Sequence, residues 1–143
     1  MTATGRRPCV LFVCVQNAGR SQIAAALARQ LAGDRVDARS AGSAPAERVH
    51  ANVVAAMREV GIDLGGVRPR RISDDDVAAA DVVVTMGCGD ACPYIPGKRY
   101  IDWQIEDPAG GGIEAARRVR GVLRLAVERL LAELVVSGAP TAR

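Results

Sequence analysis

Residues 9–21 read CVLFVCVQNAGRS, and this stretch decides the fold. The apolar run from Cys9 to Cys14 predicts a strand, and the alanine-rich pattern after Arg20 predicts a helix. A strand, a tight loop and a helix in that order can surround an oxyanion with backbone amides. A cysteine at the mouth of such a loop, near a helix N-terminus and an arginine, is favoured as its thiolate. The stretch therefore predicts that Cys14 is a nucleophile aimed at a bound oxyanion.

The loop residues have types that suit this role. Arg20 can bind two oxygens of an anion with its forked guanidinium. Ser21 can donate a hydrogen bond to the Cys14 thiolate, Asn17 suits a left-handed backbone, and Gly19 suits a strained turn. The competing interpretation, that Cys14 merely ends a buried strand, leaves these useful positions unexplained. The predicted oxyanion-binding loop comprises Val15, Gln16, Asn17, Ala18, Gly19, Arg20 and Ser21.

Strands and helices alternate outward from this stretch. The unbroken β-branched run Val82-Val83-Val84 is typical of a strand buried on both faces, as in a parallel sheet. The alternation predicts an α/β domain with helices on both faces of the sheet and ligands beyond the carboxyl ends of its strands. The predicted strands are about 9–14, 36–41, 81–86 and 100–103, and the predicted helices about 20–32, 46–60, 77–80 (with Ser73 as N-cap) and 113–136.

Length and composition bound the class of protein. At 143 residues the chain is expected to form one domain, 1–143, with a frayed tail at about 137–143. The net charge of +3 comes from dispersed arginines, which argues against nucleic-acid binding. No signal peptide or run of about 20 apolar residues is visible, so we expect no membrane contact and a cytoplasmic location. In that compartment four cysteines favour reactive, redox or metal-binding roles over structural disulfides.

Two more cysteines follow the third predicted strand. Cys88 and Cys92 would lie at the same edge of the sheet as Cys14, so the sites could face each other across one crevice. Their spacing suits a helical i, i+4 pair, whereas the neighbouring glycines and Pro93 favour a flexible loop. Two inert buried thiols remain the alternative. A zinc site would need a second cysteine pair that the chain lacks, so no metal is predicted.

Other residues complete the set of candidates. Asp107 precedes Pro108, a pair biased towards an extended loop, and could act as a general acid. Cys9 is expected in the core on the strand face opposite Cys14. His50 is expected on a helix surface. The remaining prediction is a solvated helix face comprising Arg117, Arg118 and Arg120.

Together these motifs resemble the low-molecular-weight tyrosine phosphatase family and, within it, the thioredoxin-coupled type of arsenate reductase. The resemblance covers about residues 9–110. It implies a single three-layer domain with a four-stranded parallel sheet in the flavodoxin-like order 2-1-3-4. Its supporting segments are the Cys-x5-Arg-Ser loop from Cys14 to Ser21, Ala41-Gly42-Ser43 with Pro45, Val84 to Pro93, Asp102-Trp103 and Glu106 to Ala109.

The resemblance also implies a mechanism for reducing arsenate to arsenite. Cys14 would attack arsenic while Arg20 and the loop amides hold the oxyanion, and Asp107 would protonate the leaving oxygen. Cys88 would then attack Cys14, and Cys92 would attack Cys88, leaving a disulfide for an external reductant. That reductant would be thioredoxin, with mycothiol or glutathione left open by the short Cys88/Cys92 spacing. No bound cofactor and a monomeric enzyme are expected.

Two other functions remain open. A protein-tyrosine phosphatase would hydrolyse phosphate monoesters through a phosphocysteine and needs only Cys14, Arg20 and Asp107. Against it, Ala109 and three glycines follow Asp107-Pro108, where the phosphatases place aromatic walls. A non-catalytic anion sensor would need neither a general acid nor a resolving cysteine pair.

Overall fold

The protein is built on four parallel strands, β1 Cys9–Cys14, β2 Asp37–Gly42, β3 Val82–Met86 and β4 Arg99–Asp102. In the sheet they lie in the order β2-β1-β3-β4, which confirms the predicted fold class and strand order. The structure, a computed structural model, describes residues 7–87, 94 and 96–138, with side chains as far as residue 134. Its helices are α1 Arg20–Ala32, α2 Ala51–Arg58, α3 Asp74–Ala79 and α4 Gly112–Gly138, and a short 3₁₀ turn spans Gly33–Arg35.

The first strand lies at the centre of the fold. All six residues of β1 are buried, and successive side chains enter opposite hydrophobic layers. Phe12 and Cys14 face the layer formed with α1, α2 and α4, whereas Cys9 faces the smaller layer that includes Val77 of α3. The predicted opposition of Cys9 and Cys14 is confirmed. Burying each large apolar side chain of this strand contributes roughly 1.5–3 kcal/mol, so β1 is a rigid support for whatever follows it.

The register brings three strand ends to one place. Cys14, the last residue of β1, lies opposite Gly42 at the end of β2 and Met86 at the end of β3. A Cβ on Gly42 would lie 2.6 Å from the carbonyl oxygen of Val15, so β2 reaches the loop only because this residue has no side chain. The carboxyl edge of the sheet therefore carries the predicted oxyanion loop.

The start of the second helix differs from the prediction. Helical spacing predicted a helix from residue 46, but α2 begins at Ala51, and its N-cap is His50. The backbone N–H groups of Ala46 and His50 donate instead to carbonyl oxygens of the oxyanion loop, at 3.0 Å each. A helix beginning at residue 46 would need the His50 amide for the carbonyl oxygen of Ala46, and that amide is bound to the loop instead.

The last helix also exceeds its predicted limits. It includes Ser137 and Gly138, which were expected in a frayed tail, while residues 139–143 lie outside the described part of the chain. Within the described residues, no helix is both long and apolar enough to cross a membrane.

The predicted solvated face of α4 is exposed at Arg117 and Arg118, but Arg120 has only 22 % of its side chain exposed, and all three arginines form ion pairs. Arg117 and Arg120 both pair with Glu59, just after α2, and Arg118 pairs with Glu106. Arg120 also donates to the carbonyl oxygen of Ala56 at 2.6 Å. These partners are distant in sequence, so helical periodicity gave no sign that this face ties α4 to α2 and to the segment before Asp107.

Candidate active site

A cavity of about 250 Å³ opens above Cys14, at the carboxyl edge of the sheet. It brings together the N-terminal end of α1, the segment before α2 and the segment before α4. Three of the predicted catalytic residues line it, and His50 does so as well. The lining residues are Cys14, Val15, Gln16, Gly19, Arg20, His50, Asp107 and Ala109.

The backbone of the loop is held by the segment between β2 and α2. Ser43 and Ala44 donate to the carbonyl oxygens of Cys14 and Val15, at 3.2 and 2.8 Å. The two amides named above, at residues 46 and 50, bind the carbonyls of Gln16 and Ala18. With its carbonyls turned outward, the loop directs its N–H groups towards the cavity, the arrangement that binds an anion.

The N-terminus of α1 strengthens this positive region. Gly19, the N-cap residue, has no side chain to accept from the first helical amides, and the first turn has no acidic residue. Gly19 has a φ of −139°, so the expected strained turn is not a left-handed one. A Cβ there would lie 3.2 Å from Cγ of Pro108, and close packing therefore favours glycine. The helix dipole and its unfilled amides remain directed at a ligand.

A chain of hydrogen bonds ends at the sulfur of Cys14. Its Sγ lies 2.9 Å from Oγ of Ser21, and Nδ2 of Asn17 donates to that same hydroxyl at 2.7 Å. Since the hydroxyl oxygen accepts from Asn17, its own hydrogen is available for Cys14. All three side chains are at most 2 % exposed. The predicted contact between Ser21 and Cys14 is therefore present, and it is closed to solvent.

The orientation of Asn17 is fixed by its other partners. Oδ1 accepts from Nε2 of Gln22 at 3.1 Å and from the backbone N–H of Arg70 at 3.0 Å. A backbone N–H can only donate, so it identifies the amide oxygen and leaves Nδ2 for Ser21. Asn17 has the predicted positive φ, 50°. One residue thus sets both the turn of the loop and the direction of the hydrogen bonds towards Cys14.

Arg20 lies deep in the cavity with only 13 % of its side chain exposed. Nη1 donates to the carbonyl oxygen of Ile105 at 3.3 Å, and Nη2 lies 3.7 Å from Oδ2 of Asp107. Gly87, directly after β3, lies against the guanidinium: a Cβ there would come within 2.8 Å of Nη1. Gly87 also has a φ of +90°, so both its conformation and this close approach call for glycine.

Asp107 stands on the opposite, more open side of the cavity. Its side chain is 56 % exposed, and Oδ1 accepts from the backbone N–H of Ala109 at 3.0 Å. Asn52 of α2 fixes this segment by donating to the carbonyl oxygens of Pro108 and Gly112, at 2.9 and 3.0 Å. A carboxyl group held here, beside Arg20 and above Cys14, can donate a proton to a departing oxygen.

The sequence did not indicate the positions of two residues at the site, and two other predicted site residues lie outside the described part of the chain. His50 was expected on a helix surface but lines the cavity, because it caps α2 rather than lying within it. The contribution of Arg70 is made by its backbone and has no sequence signal. Cys88 and Cys92, the predicted resolving pair, lie outside the described residues. Among the residues described, no group of three or more His, Cys, Asp or Glu side chains could hold a metal ion.

Comparison with known proteins agrees with this geometry. Residues 9–138 match the family model described as low molecular weight phosphotyrosine protein phosphatase. A glutaredoxin arsenate reductase from Synechocystis sp. is 38% identical over 128 residues, which cover 87% of this chain and 97% of that protein. A putative arsenate reductase from Halobacterium salinarum is 40% identical over 114 residues, covering 76% and 80%.

A solved structure is similar over nearly the whole chain. The thioredoxin-dependent arsenate reductase of Corynebacterium glutamicum superposes with a TM-score of 0.82 and 41% identity. The match covers 93% of this chain but 64% of that protein, so the chain spans about two-thirds of that relative's length.

Proposed function

The chain belongs to the low molecular weight phosphotyrosine protein phosphatase family, and from this premise we propose that it is an arsenate reductase whose nucleophile is Cys14. One observation carries the assignment of the site. A buried sulfur, 2.9 Å from a donating serine, sits at the N-terminal end of α1 beside Arg20. This combination favours a thiolate next to a bound oxyanion and matches the activity named for the arsenate reductases that the chain resembles.

In the first step, Cys14 attacks the arsenic of arsenate. The Sγ–As bond forms as one As–O bond breaks, and Asp107 gives its proton to the departing hydroxide, which leaves as water. Arg20 and the inward-facing loop amides hold the remaining oxygens. Arsenic is still As(V) at this point. The negative charge of the oxygens bound to it is balanced by the guanidinium and the positive end of α1.

In the second step, the thiols supply two electrons. We assign Cys88 as the residue that attacks Sγ of Cys14, so that the electron pair of the S–As bond passes to arsenic and arsenite, As(III), leaves. Two thiols have then become a Cys14–Cys88 disulfide. Cys92 attacks Cys88, which frees Cys14 and leaves a Cys88–Cys92 disulfide.

The disulfide must be reduced by an external dithiol, for which we propose thioredoxin. One relative is named thioredoxin-dependent and another is named a glutaredoxin arsenate reductase, so both classes of reductant occur among similar proteins. Glutathione or mycothiol could instead resolve Cys14 directly and leave Cys88 and Cys92 with a secondary role. The distinction lies in which disulfide accumulates when the reductant is limiting.

A phosphatase is the second candidate, because the cavity contains everything that its chemistry requires. Cys14, Arg20 and Asp107 are shared by both reactions, and phosphate is nearly the same shape as arsenate. What separates the two is redox chemistry, since a thiol reduces As(V) but not P(V). Ala109 lines the cavity and three glycines follow it, so these residues offer no aromatic surface to a phosphotyrosine ring.

The test is arsenate-dependent oxidation of NADPH in the presence of thioredoxin and its reductase, followed by mass mapping of disulfides. Wild-type enzyme should turn over and accumulate the Cys88–Cys92 bridge. Cys14→Ser should abolish turnover, whereas the matched change Cys9→Ser, at a core cysteine on the other sheet face, should retain it. Turnover only with glutathione or mycothiol would identify one of these thiols, rather than thioredoxin, as the reductant. Hydrolysis of aryl phosphates without arsenate turnover under any thiol would overturn the reductase.

A further inference from the structure

A second cavity lies beside the oxyanion loop and shares no lining residue with the first. Its volume is about 290 Å³, and the loop contributes Asn17 to its wall while α1 contributes Gln22. The catalytic scheme above uses none of its positively charged side chains. The cavity is lined by Asn17, Gln22, Arg29, Arg39, Ser40, Val67, Arg68 and Arg70.

Positive charge exceeds negative charge around this cavity. Four arginines line it, and two carboxylates pair with two of them: Asp37 with Arg39 and Asp76 with Arg70, each at 2.8 Å. Within the described part of the chain, the other two arginines make no ion pair at salt-bridge distance. Four guanidinium groups less two carboxylates leave an excess of two positive charges, enough to neutralise a doubly charged anion.

One unpaired arginine is anchored at one nitrogen and has donors to spare. Nε of Arg29 donates to the carbonyl oxygen of Ala38 at 3.0 Å, while its two terminal nitrogens have no hydrogen-bond partner among the described residues. A guanidinium that is held in place without a direct carboxylate partner gains from a bound anion.

A buried hydroxyl adds a donor of another kind. Ser40 of β2 is only 8 % exposed and lines the cavity, yet its hydroxyl has no hydrogen-bond partner among the residues that the structure describes. Buried polar side chains are generally satisfied, so an unpartnered hydroxyl facing a cavity points to a ligand or an ordered water. Together with guanidinium nitrogens, a hydroxyl donor suits an acceptor-rich ligand.

We propose that this cavity binds a tetrahedral oxyanion of the phosphate or sulfate type, held by Arg29, Arg68 and Ser40. Because this cavity lies beside the oxyanion loop, the bound anion stabilises the loop. The coupling is short: the backbone N–H of Arg70 donates to Asn17, and Gln22 contacts both the side chain and the backbone of Asn17. Because Asn17 orients Ser21, an anion here tightens the same hydrogen bonds that end at Cys14.

The experiment uses radiolabelled sulfate, which the thiols do not reduce, in equilibrium dialysis with the full chain. Wild-type protein should bind two equivalents, one at each cavity. Arg20→Ala removes the guanidinium of the first site and should leave one equivalent. Adding Ser40→Ala or Arg29→Gln to Arg20→Ala should weaken the remaining site by about tenfold or more, since each removes a donor to a charged ligand.

A charge-matched control separates a built site from general attraction to a basic protein. Arg35→Gln removes the same charge from the exposed 3₁₀ turn, outside this cavity, and should leave the second equivalent intact. Circular dichroism and thermal melting of every variant establish that it is folded. If Arg20→Ala bound no sulfate, or if Arg29→Gln weakened binding no more than Arg35→Gln, the site would be refuted.

The coupling to the loop has its own readout. In the Arg20→Ala protein, sulfate should slow hydrogen exchange of the amides of residues 15–19, and Ser40→Ala should remove that protection. Exchange unchanged by saturating sulfate would refute the stabilising role even if the anion binds. This inference does not depend on the reaction at Cys14, because neither readout requires arsenate turnover.

Discussion

The two walls of the catalytic cavity are built in opposite ways. On the inner wall, Cys14 is almost completely buried, and behind it Ser21 and Asn17 are buried and joined to it by hydrogen bonds. On the outer wall, Asp107 is more than half exposed and is followed by glycines, of which Gly110 and Gly112 have positive φ. The inner wall contacts the centre of the sheet, whereas the outer wall is a connection between β4 and α4.

This contrast separates two demands of the chemistry. A nucleophile and an anion cradle must be positioned before the substrate arrives, and buried, mutually satisfied hydrogen bonds achieve that. A general acid must exchange protons with solvent after each turnover, and exposure permits this. Arg20 is the link between the walls, since it leaves the inner loop and ends beside Asp107.

Removing the acid should have the largest effect that leaves binding intact. Asp107→Asn is expected to lower turnover by about 10²- to 10⁴-fold, the usual contribution of general acid catalysis. Inhibition by phosphate should be retained or strengthened, because the change removes a negative charge 3.7 Å from Arg20. The control is Asp102→Asn at the end of β4, where the carboxylate binds Thr85 and Gln104 instead. Equal losses in the two variants would contradict the proposed division of labour.

Removing a hydrogen bond of the inner wall should lower the reactivity of the Cys14 sulfur. Ser21→Ala removes the donor to Sγ of Cys14 and should slow both arsenate turnover and alkylation of Cys14 by about 10- to 100-fold at neutral pH. Thermal melting of the variant should match that of wild type, which separates a loss at the sulfur from a structural defect. Ser43→Ala, a hydroxyl beside the loop without a side-chain hydrogen bond among the described residues, should leave both rates unchanged.

The link between the walls can be tested at Gly87. An alanine there would bring Cβ within 2.8 Å of the guanidinium and should raise KM for arsenate by about tenfold, with a smaller change in kcat. Gly97→Ala is the matched control, because it has nearly the same φ, +92°, and no atom within 4 Å of its added Cβ. Both variants should lose similar stability from the left-handed conformation, so a KM effect confined to Gly87→Ala isolates the contact with Arg20.

The smallest effect is expected away from both walls. Hydrogen bonds from Arg117 and Arg120 lower the pKa of Glu59 to about 2 from an ordinary value of 4.5. The carboxylate thus stabilises the fold above pH 4.5, and this contribution is lost as the pH falls towards 2. Urea unfolding should show Glu59→Gln to be slightly less stable than wild type at pH 7, with the difference vanishing near pH 2. A gap that persists in acid would show that packing, rather than charge, ties α2 to α4.

Local sequence predicted the inner wall well. The run from Cys9 to Ser21 encodes a strand, an anion loop and a helix start through nearest neighbours, and it also indicated the left-handed Asn17 and the Cys14–Ser21 contact. The Cys14–Ser21 and Asn17–Ser21 contacts join residues that are close in sequence. The strand order followed from a family resemblance rather than from pattern alone.

Long-range contacts account for what could not be predicted. Nothing in residues 46–50 indicates that their amides bind the loop, and so helical spacing extended α2 too far and misplaced His50. Likewise, Arg70 reaches Asn17 across 53 residues through its backbone, where side-chain identity carries no information. Arg117 and Arg120 had the periodicity of an exposed face, but their ion pairs depend on the position of Glu59 in the fold, which periodicity does not indicate.

The outward-turned carbonyls of the loop have an evolutionary consequence. Because the backbone of residues 43–50 supports the loop, the cradle makes few demands on the exposed side chain of Gln16. Substitutions at Val15 and Gln16, which line the cavity, can change which oxyanion or ester is accepted without dismantling its binding. A family with this scaffold can diversify its substrates at the rim of the site, whereas proline at residues 44, 46 or 50 would remove an amide that the loop cannot replace.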